Sequence, residues 1–294
     1  MIVVTTPTGG IGRQVLGHLL TTTEPVRVIV RDPARLPAGV RDRVEVVPGS
    51  HGDPDVVTKA FDGADTVFWV VPPDFTAVTA EAAYSGFTRP ACDALRACGV
   101  ARVVGVSALG RGTPQAHRAG LVTASLAMDD LIAATGVSYR ALALPSFMDN
   151  LLRQVGTIRD EGVFSGPVRG DLAAPTAATR DIAAVAARLL LDRSWDGIGS
   201  VAVLGPEDLS ADASARIMSE VLGRPVRYRQ TPAGAFRAGF VARGATDAMA
   251  QAMLDMMLAK DDGLDNGEPR TPASTTPTNL RQWCEEVLKP AVLA

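Results

Sequence analysis

The first twenty residues constrain the fold more than any others. "MIVV" is a short, unbroken apolar run, as expected of a strand buried on both faces of a parallel sheet. "TTPTGGIGRQVLGHLL" (Thr5–Leu20) follows, and within it Ile11, Val15, Leu16, Leu19 and Leu20 recur at helical spacing. Strand, glycine turn and helix in that order place free backbone N–H groups at a helix N-terminus. Those groups and the helix dipole suit a pyrophosphate. Such a turn needs glycine where the backbone takes a positive φ, where it approaches the phosphate and where helix packs on strand. Gly9 and Gly12 supply two of these positions and Gly10 adds freedom.

The same rhythm continues. "VRVIV" (Val26–Val30), "RVEVV" (Arg43–Val47), "DTVFWVV" (Asp65–Val71), "RVVGVSA" (Arg102–Ala108) and "SYRALAL" (Ser138–Leu144) read as strands. The helical segments "VVTKAF", "ACDALRACGV" and "LVTASLAMDDLIAATGV" fall between the later strands and close on Gly63, Gly99 and Gly136. This alternation predicts an α/β fold: a doubly wound parallel sheet, Rossmann-like, over residues 1–150. After Pro145 the segments are mostly helical: "TRDIAAVAARLLLD", "SADASARIMSEVLG", "DAMAQAMLDMMLA" and "NLRQWCEEVLKPAVLA". The strand "SVAVLG" interrupts them, and the polar "DDGLDNGEPRTPASTTPT" reads as a loop or an ordered surface strap. Residues 151–294 are expected to form a smaller, mostly helical substrate-side domain. Within it, about 177–204 returns to the sheet domain.

Composition removes several function classes. The 294 residues carry 29 basic against 32 acidic side chains and few aromatics, so neither a basic face nor a base-stacking surface for nucleic acid is expected. Three cysteines (Cys92, Cys98, Cys284) and three scattered histidines (His18, His51, His117) give no metal-ligand spacing and no disulfide framework. No basic-then-apolar leader and no run of about 18 apolar residues occurs, so a soluble, cytoplasmic protein without a membrane partner is expected. The sequence leaves oligomeric state open.

The glycine turn resembles the "TGxTGxxG" turn of atypical short-chain dehydrogenases, in particular the NmrA-like family. Thr5, Thr8, Gly9 and Gly12 match, while Thr6 stands where the pattern has its first glycine. "VRDP" follows the second strand. "GSHGDPDVVTKAFDGADTVF" is similar to the family's "GDxxDxxSLxxAxxGxDxVF", and "LALPSFMDNLL" to its "LRPxxFMxNLL". With "TRDIAAVAARLL", "LGPEDLSADASARIMSEVLGRPVRY" and "TPTNLRQW", the likeness spans nearly the whole chain. It implies a nicotinamide dinucleotide on Thr6, Thr8, Gly9, Gly10, Ile11 and Gly12, and a substrate side beginning at Met148, Asp149 and Asn150.

Ligands in open α/β sheets sit at the carboxyl ends of the strands. On that rule Trp69, Val71 and Pro72 should border the cofactor ribose. Ser107 should reach the nicotinamide ribose or a substrate oxygen, and Pro145, Ser146 and Phe147 should lie beside the nicotinamide. The second strand ends in Arg31 and then Asp32. A guanidinium pairs bidentately with a 2′-phosphate, whereas a carboxylate would take a 2′-hydroxyl. NADP is expected, with Arg31 on its phosphate; Asp32 turned inward would favour NAD instead.

Ordinary short-chain dehydrogenases pair Tyr and Lys four apart on one helix face, so that the phenol passes a proton while hydride moves. Here Leu121 and Ser125 fall at those positions, Asp129 takes the family's acidic place, and the helix has no tyrosine or lysine. The chemistry must then need little acid–base help, as in reduction of a quinone. The resemblance implies quinone or azo reduction, a step in an aromatic polyketide pathway, an oxygen-dependent hydroxylation, or cofactor sensing without catalysis. His117, read as starting that helix, is the nearest proton-donor candidate by titration range. Phe236, Phe240 and Met253, with Met249, Met256 and Met257, offer adaptable apolar surface for a flat aromatic or quinone substrate.

Overall fold

In the computed structural model, which describes residues 1–294, strands and helices alternate over the first half. They run β1 (Ile2–Thr5), α1 (Gly10–Leu19), β2 (Val26–Val30), α2 (Ala38–Arg41), β3 (Glu45–Pro48), α3 (Pro54–Phe61) and β4 (Thr66–Trp69). Next come α4 (Phe87–Ala97), β5 (Arg102–Ala108), α5 (Leu121–Ala133) and β6 (Ser138–Leu144). The second half holds β7 (Ser146–Phe147), α6 (Val155–Glu161), β8 (Val163–Gly166), β9 (Ala174–Ala177), α7 (Thr179–Leu191) and β10 (Ile198–Ala202). It ends with β11 (Asp208–Leu209), α8 (Ala211–Leu222), β12 (Arg227–Gln230), α9 (Ala233–Ala242), α10 (Asp247–Asp261), α11 (Leu280–Trp283) and α12 (Lys289–Leu293).

Seven strands make one sheet in the order β10-β6-β5-β4-β1-β2-β3, and every neighbouring pair is parallel. All seven carboxyl ends therefore meet along one edge, and the strand order reverses between β1 and β4. Alternate residues feed two cores. Val4, Val28, Phe68, Val104 and Leu142 pack beneath α1 and α7. Val3, Ile29, Val67, Val103 and Tyr139 pack beneath α3, α4 and α5. A strand buried on both faces needs apolar side chains at consecutive positions, which is why these strands read as unbroken runs.

The second half wraps the carboxyl edge. β7 leaves the large sheet and pairs with β9, which also pairs with β11. β8 and β12 form a separate parallel pair. A third core gathers Met148, Ile158, Phe164, Met218, Trp283, Cys284 and Leu288. Both α7 and β10 belong physically to the sheet: α7 lies on α1 and β10 pairs with β6. No helix is long and apolar enough to cross a membrane.

Several segment ends depart from their sequence reading, β3 running Glu45–Pro48 and β10 Ile198–Ala202. β4 stops at Trp69, because the next backbone groups are taken up elsewhere: the Val70 N–H donates to Thr5 Oγ1 and the Val70 carbonyl accepts from His51. The helix expected at 91–100 begins earlier, at Phe87, and a π-helical turn over 82–86 leads into it. The polar stretch after α10 is an ordered strap. Ser274, Thr276 and Thr278 are buried, and Thr276 donates both its N–H and its hydroxyl to the Leu204 carbonyl.

The strap is locked to α7 by Asp181. Its two carboxylate oxygens accept from the Thr278 N–H at 2.9 Å and the Thr278 hydroxyl at 2.8 Å, all buried. Asp181→Ala strands that N–H without a partner and is expected to cost about 2–3 kcal/mol in denaturant unfolding. An unchanged midpoint would show that the strap does not depend on this bond.

Candidate functional site

The site is built outward from the turn between β1 and α1. Thr5, the last residue of β1, donates its hydroxyl to the Phe68 carbonyl and accepts from the Val70 N–H, both at 2.9 Å. This fixes the end of β1 against the end of β4. Thr6 follows with φ +50°, the only residue other than glycine with a positive φ. The left-handed conformation that the motif's first glycine adopts freely is thus held by a β-branched residue, at a cost of about 1–2 kcal/mol. The Thr6 carbonyl accepts from the Gly9 N–H at 2.9 Å and closes the turn. A Cβ at Gly12 would overlap that same carbonyl, so α1 comes down on the turn as only glycine permits.

The N-terminus of α1 is left unfilled by the protein. Gly9 supplies no side-chain cap, the first turn has no acidic residue, and Gly10 faces open space. Free N–H groups and the positive end of a ten-residue helix therefore point at an open position, a fit for a dinucleotide's pyrophosphate.

β2 and β3 end where the adenosine half of a dinucleotide is expected. Arg31 is exposed, and its guanidinium takes part in none of the ion pairs of the chain. Asp32 is also exposed, but its carboxylate turns back to accept the Ala34 N–H at 3.0 Å. Sequence reading passed over His51. Its Nε2–H donates to the Val70 carbonyl at 2.9 Å, and the ring packs edge-on against Trp69 and Phe87. Burial pushes its pKa down from 6.5 to about 4; the Val70 bond opposes this and the field of Arg31 adds to it. The only local signal was its place directly after "GS".

Several expected ligand residues are engaged elsewhere. Trp69 is a correction: it is 2 % exposed, its indole N–H donates to Thr88, and its side chain is core rather than a ribose wall. Val71 is buried in the same core, while Pro72 is exposed. Ser107, expected to reach the nicotinamide ribose or a substrate oxygen, already has its hydroxyl proton engaged within the protein. Its hydroxyl donates to buried Asp129 at 2.5 Å, and Asp129 also accepts from the Tyr139 hydroxyl at 2.6 Å. Only the lone pairs of Ser107 remain for a ligand. Burial raises the Asp129 pKa against the lowering effect of Ser107, Tyr139 and Arg111.

His117 does not start α5. It sits exposed on a 3-10 turn over 116–118, bordering a cleft of about 480 Å³ with Arg118, Thr123, Asp255 and Asp262. No residue of the glycine turn or of a strand end lines that cleft, so the proton-donor reading of His117 loses its geometric basis. Pro145 is buried, and Ser146 and Phe147 are half-buried in β7 beside β9. Met148 is another correction: it is 2 % exposed in the core of the second lobe and unavailable to substrate. Asn150 is exposed on the following 3-10 turn.

The structure does bring apolar groups together over the carboxyl edge. Phe236 and Phe240 of α9 pack at a tilt with centroids 5.2 Å apart, and Phe240 meets Phe75, from the segment after β4, at 5.3 Å. Thr246 ties that segment to the start of α10: its N–H donates to the Phe75 carbonyl and its hydroxyl to the Ala77 carbonyl. Met253 and Met256 line the same patch as Phe75 and Tyr84, around buried Met249 and Leu121. Phe75 and Tyr84 lie in stretches with no readable period, so only the folded chain identifies them.

Comparisons with known proteins agree with this geometry. Residues 7–193 match the family model described as NAD(P)H-binding. The chain is 33% identical over 248 residues to the (4-alkanoyl-5-oxo-2,5-dihydrofuran-3-yl)methyl phosphate reductase of Streptomyces griseus, covering 83% of this chain and 81% of the relative. It is 27% identical to the NAD(P)H azoreductase of Xenophilus azovorans, covering 87% of this chain and 86% of that one. Its fold matches the NADPH-dependent quinone oxidoreductase of Escherichia coli with a TM-score of 0.76 at 23% identity, over 96% of this chain and 98% of that one.

Two outcomes test the site. Gly12→Ala is expected to weaken NADPH binding by about tenfold or more in a fluorescence titration, since the added methyl must push α1 off the turn. The second concerns pH. Below pH 6.5 the unfolded chain takes up a proton that His51 in the folded protein refuses down to about 4. Stability that is full above pH 6.5 should therefore fall between 6.5 and 4, by up to about 3 kcal/mol. His51→Gln should remove that part of the slope; an identical acid limb would show that His51 is not its source.

Proposed function

The chain belongs to the NAD(P)H-binding family and is an NAD(P)H-dependent oxidoreductase, and from that premise we propose that it reduces a flat, conjugated, electron-poor carbonyl or quinone acceptor with NADP(H) as the preferred cofactor. One observation carries this reading: the aromatic wall of Phe75, Phe236 and Phe240, with Met253 beside it, stands over the edge where the cofactor site opens. Flat apolar rings bury well against aromatic and thioether side chains.

The reduced nicotinamide, when bound, supplies a hydride. The residues of this chain hold, orient and shield. The uncapped start of α1 takes the pyrophosphate. The unpaired Arg31 takes a 2′-phosphate, and Asp32 is turned back to its own cap rather than toward a ribose. The lone pairs of Ser107 are left for a ribose hydroxyl. The helix α5, from Leu121 to Ala133, has neither tyrosine nor lysine to act as the usual dyad.

The acceptors named for the relatives support the same class. A dihydrofuranone, an azo compound and a quinone share no shape, yet each is conjugated and electron-poor. Such an acceptor spreads the incoming charge over its own π-system, so a lysine-activated phenol is not needed to drive the step.

NADPH consumption should be followed with naphthoquinones, anthraquinones and a butenolide, with and without oxygen. Oxygen-independent turnover is expected. Turnover that requires oxygen would replace this reading with the hydroxylation of an aromatic substrate, such as a polyketide. NADPH binding without turnover of any acceptor would remove the acceptor class. Arg31→Ala is expected to lower the NADPH-over-NADH affinity ratio about ten- to a hundredfold; an unchanged ratio would remove Arg31 from cofactor choice.

A further inference from the structure

Tyr84 lies outside every motif of the sequence and is the one tyrosine whose hydroxyl the protein leaves free. The chain has three. Tyr139 donates to Asp129 at 2.6 Å, and Tyr228 donates to the Gly166 and Val168 carbonyls. The Tyr84 hydroxyl has no such partner, and it is not among the sealed, unpartnered polar atoms, which belong to Arg27, Arg180, Arg237 and Asp265. The ring is largely covered while its donor opens onto accessible space.

Its place in the fold directs that donor. α4 lies antiparallel to the strands, so its start stands over the carboxyl edge. Thr88, on the inward face of α4, accepts from the indole of Trp69, the last residue of β4. Tyr84 precedes Thr88 by one turn and so projects past the end of the strand. It sits in the π-helical turn over 82–86, a geometry that re-aims side chains and recurs at functional sites. Its ring packs on the core beneath α4 and on the small cluster of Leu121, Met249 and Ala252, which Phe75, Met253 and Met256 also cover. Leu121 occupies the position where an ordinary short-chain dehydrogenase carries its tyrosine. A phenol therefore reaches the N-terminal end of α5 from a different element.

We propose that Tyr84 is the substrate-facing hydrogen-bond donor of this reductase: its O–H meets the oxygen of a quinone or enone acceptor, where negative charge gathers during reduction. The inference rests on the reading above that the acceptor lies along the Phe75–Phe240 wall. The phenol keeps its proton throughout, and water supplies the proton that the reduced oxygen finally takes up. Burial pushes the Tyr84 pKa up to about 12, which suits a donor and not a base. This inverts the usual dyad, in which a neighbouring lysine makes the tyrosine easier to ionise.

Tyr84→Phe keeps the ring and deletes only the donor. For menadione reduction kcat is expected to fall about a hundredfold, the loss typical of one oxyanion donor, while NADPH affinity and thermal stability stay unchanged. A second readout needs no turnover. With NADP⁺ bound, para-nitrophenol in the site should ionise more readily in the wild type than in Tyr84→Phe, read from the nitrophenolate band. Equal kcat and equal ionisation in the two proteins would overturn the proposal. So would a loss of kcat accompanied by equal losses of stability and NADPH affinity, which would mark a packing role. A wild type that reduces no quinone or enone, yet shows the Tyr84-dependent ionisation, would overturn the acceptor reading and support the donor.

Discussion

Gly12 sits so close to the Thr6 carbonyl that no side chain can stand between them, and the carboxyl edge is organised from that contact. The approach requires the chain to double back at Thr6, which holds φ +50° without being glycine. It also brings the start of α1 down uncapped, with its N–H groups free. Thr5, one residue earlier, spends its hydroxyl on joining β1 to β4. Because that bond occupies the Val70 N–H, the chain leaves the sheet there, and the Val70 carbonyl is free to hold His51. The turn, the end of β4 and His51 are thus joined by one connected set of hydrogen bonds.

The start of α7 is where the sheet and the second lobe are joined. Asp149 accepts the N–H and the hydroxyl of Thr179 at 2.9 and 2.7 Å, and Gln14 of α1 donates to the same hydroxyl. Two residues on, Asp181 holds the strap. Two carboxylates near a helix N-terminus complement its dipole, so the junction is electrostatically favourable as well as hydrogen-bonded. Small residues do the rest: Ala183 and Ala186 are fully buried, which lets α7 lie close along α1. The second lobe is therefore carried by a helix that is itself packed on the large sheet.

The sheet was legible because its strands are buried on both faces. "RVVGVSA" and "SYRALAL" coincide with β5 and β6 residue for residue, since their largely apolar stretches are buried on both faces and polar residues fall mainly toward the strand ends. The glycine turn was legible for the same kind of reason: few backbones other than a phosphate-binding turn need glycines at that spacing. Ligand-facing side chains were less legible. Trp69 ends a strand as the carboxyl-edge rule requires, but its indole points into the helix layer. Met148 follows β6 in sequence, but its side chain turns into another core. Position along the chain tells which edge a residue occupies. It does not tell which side of that edge its side chain takes.

Periodicity, glycine spacing and the Arg31–Asp32 pair are local properties, and from them the sequence by itself determined the doubly wound sheet, the dinucleotide turn and the absence of a tyrosine–lysine pair on α5. How the apolar groups of the second half come together was decided by tertiary structure. Phe240 and Met253 were readable as apolar surface, but Phe75 and Tyr84 carry no signal until α4, α5, α9 and α10 are packed around them. The same holds for His51, whose proton is lost to burial, and for Ser107, whose proton is taken by Asp129. Burial and hydrogen-bond partnership depend on every neighbour at once, and no local pattern in a sequence encodes them.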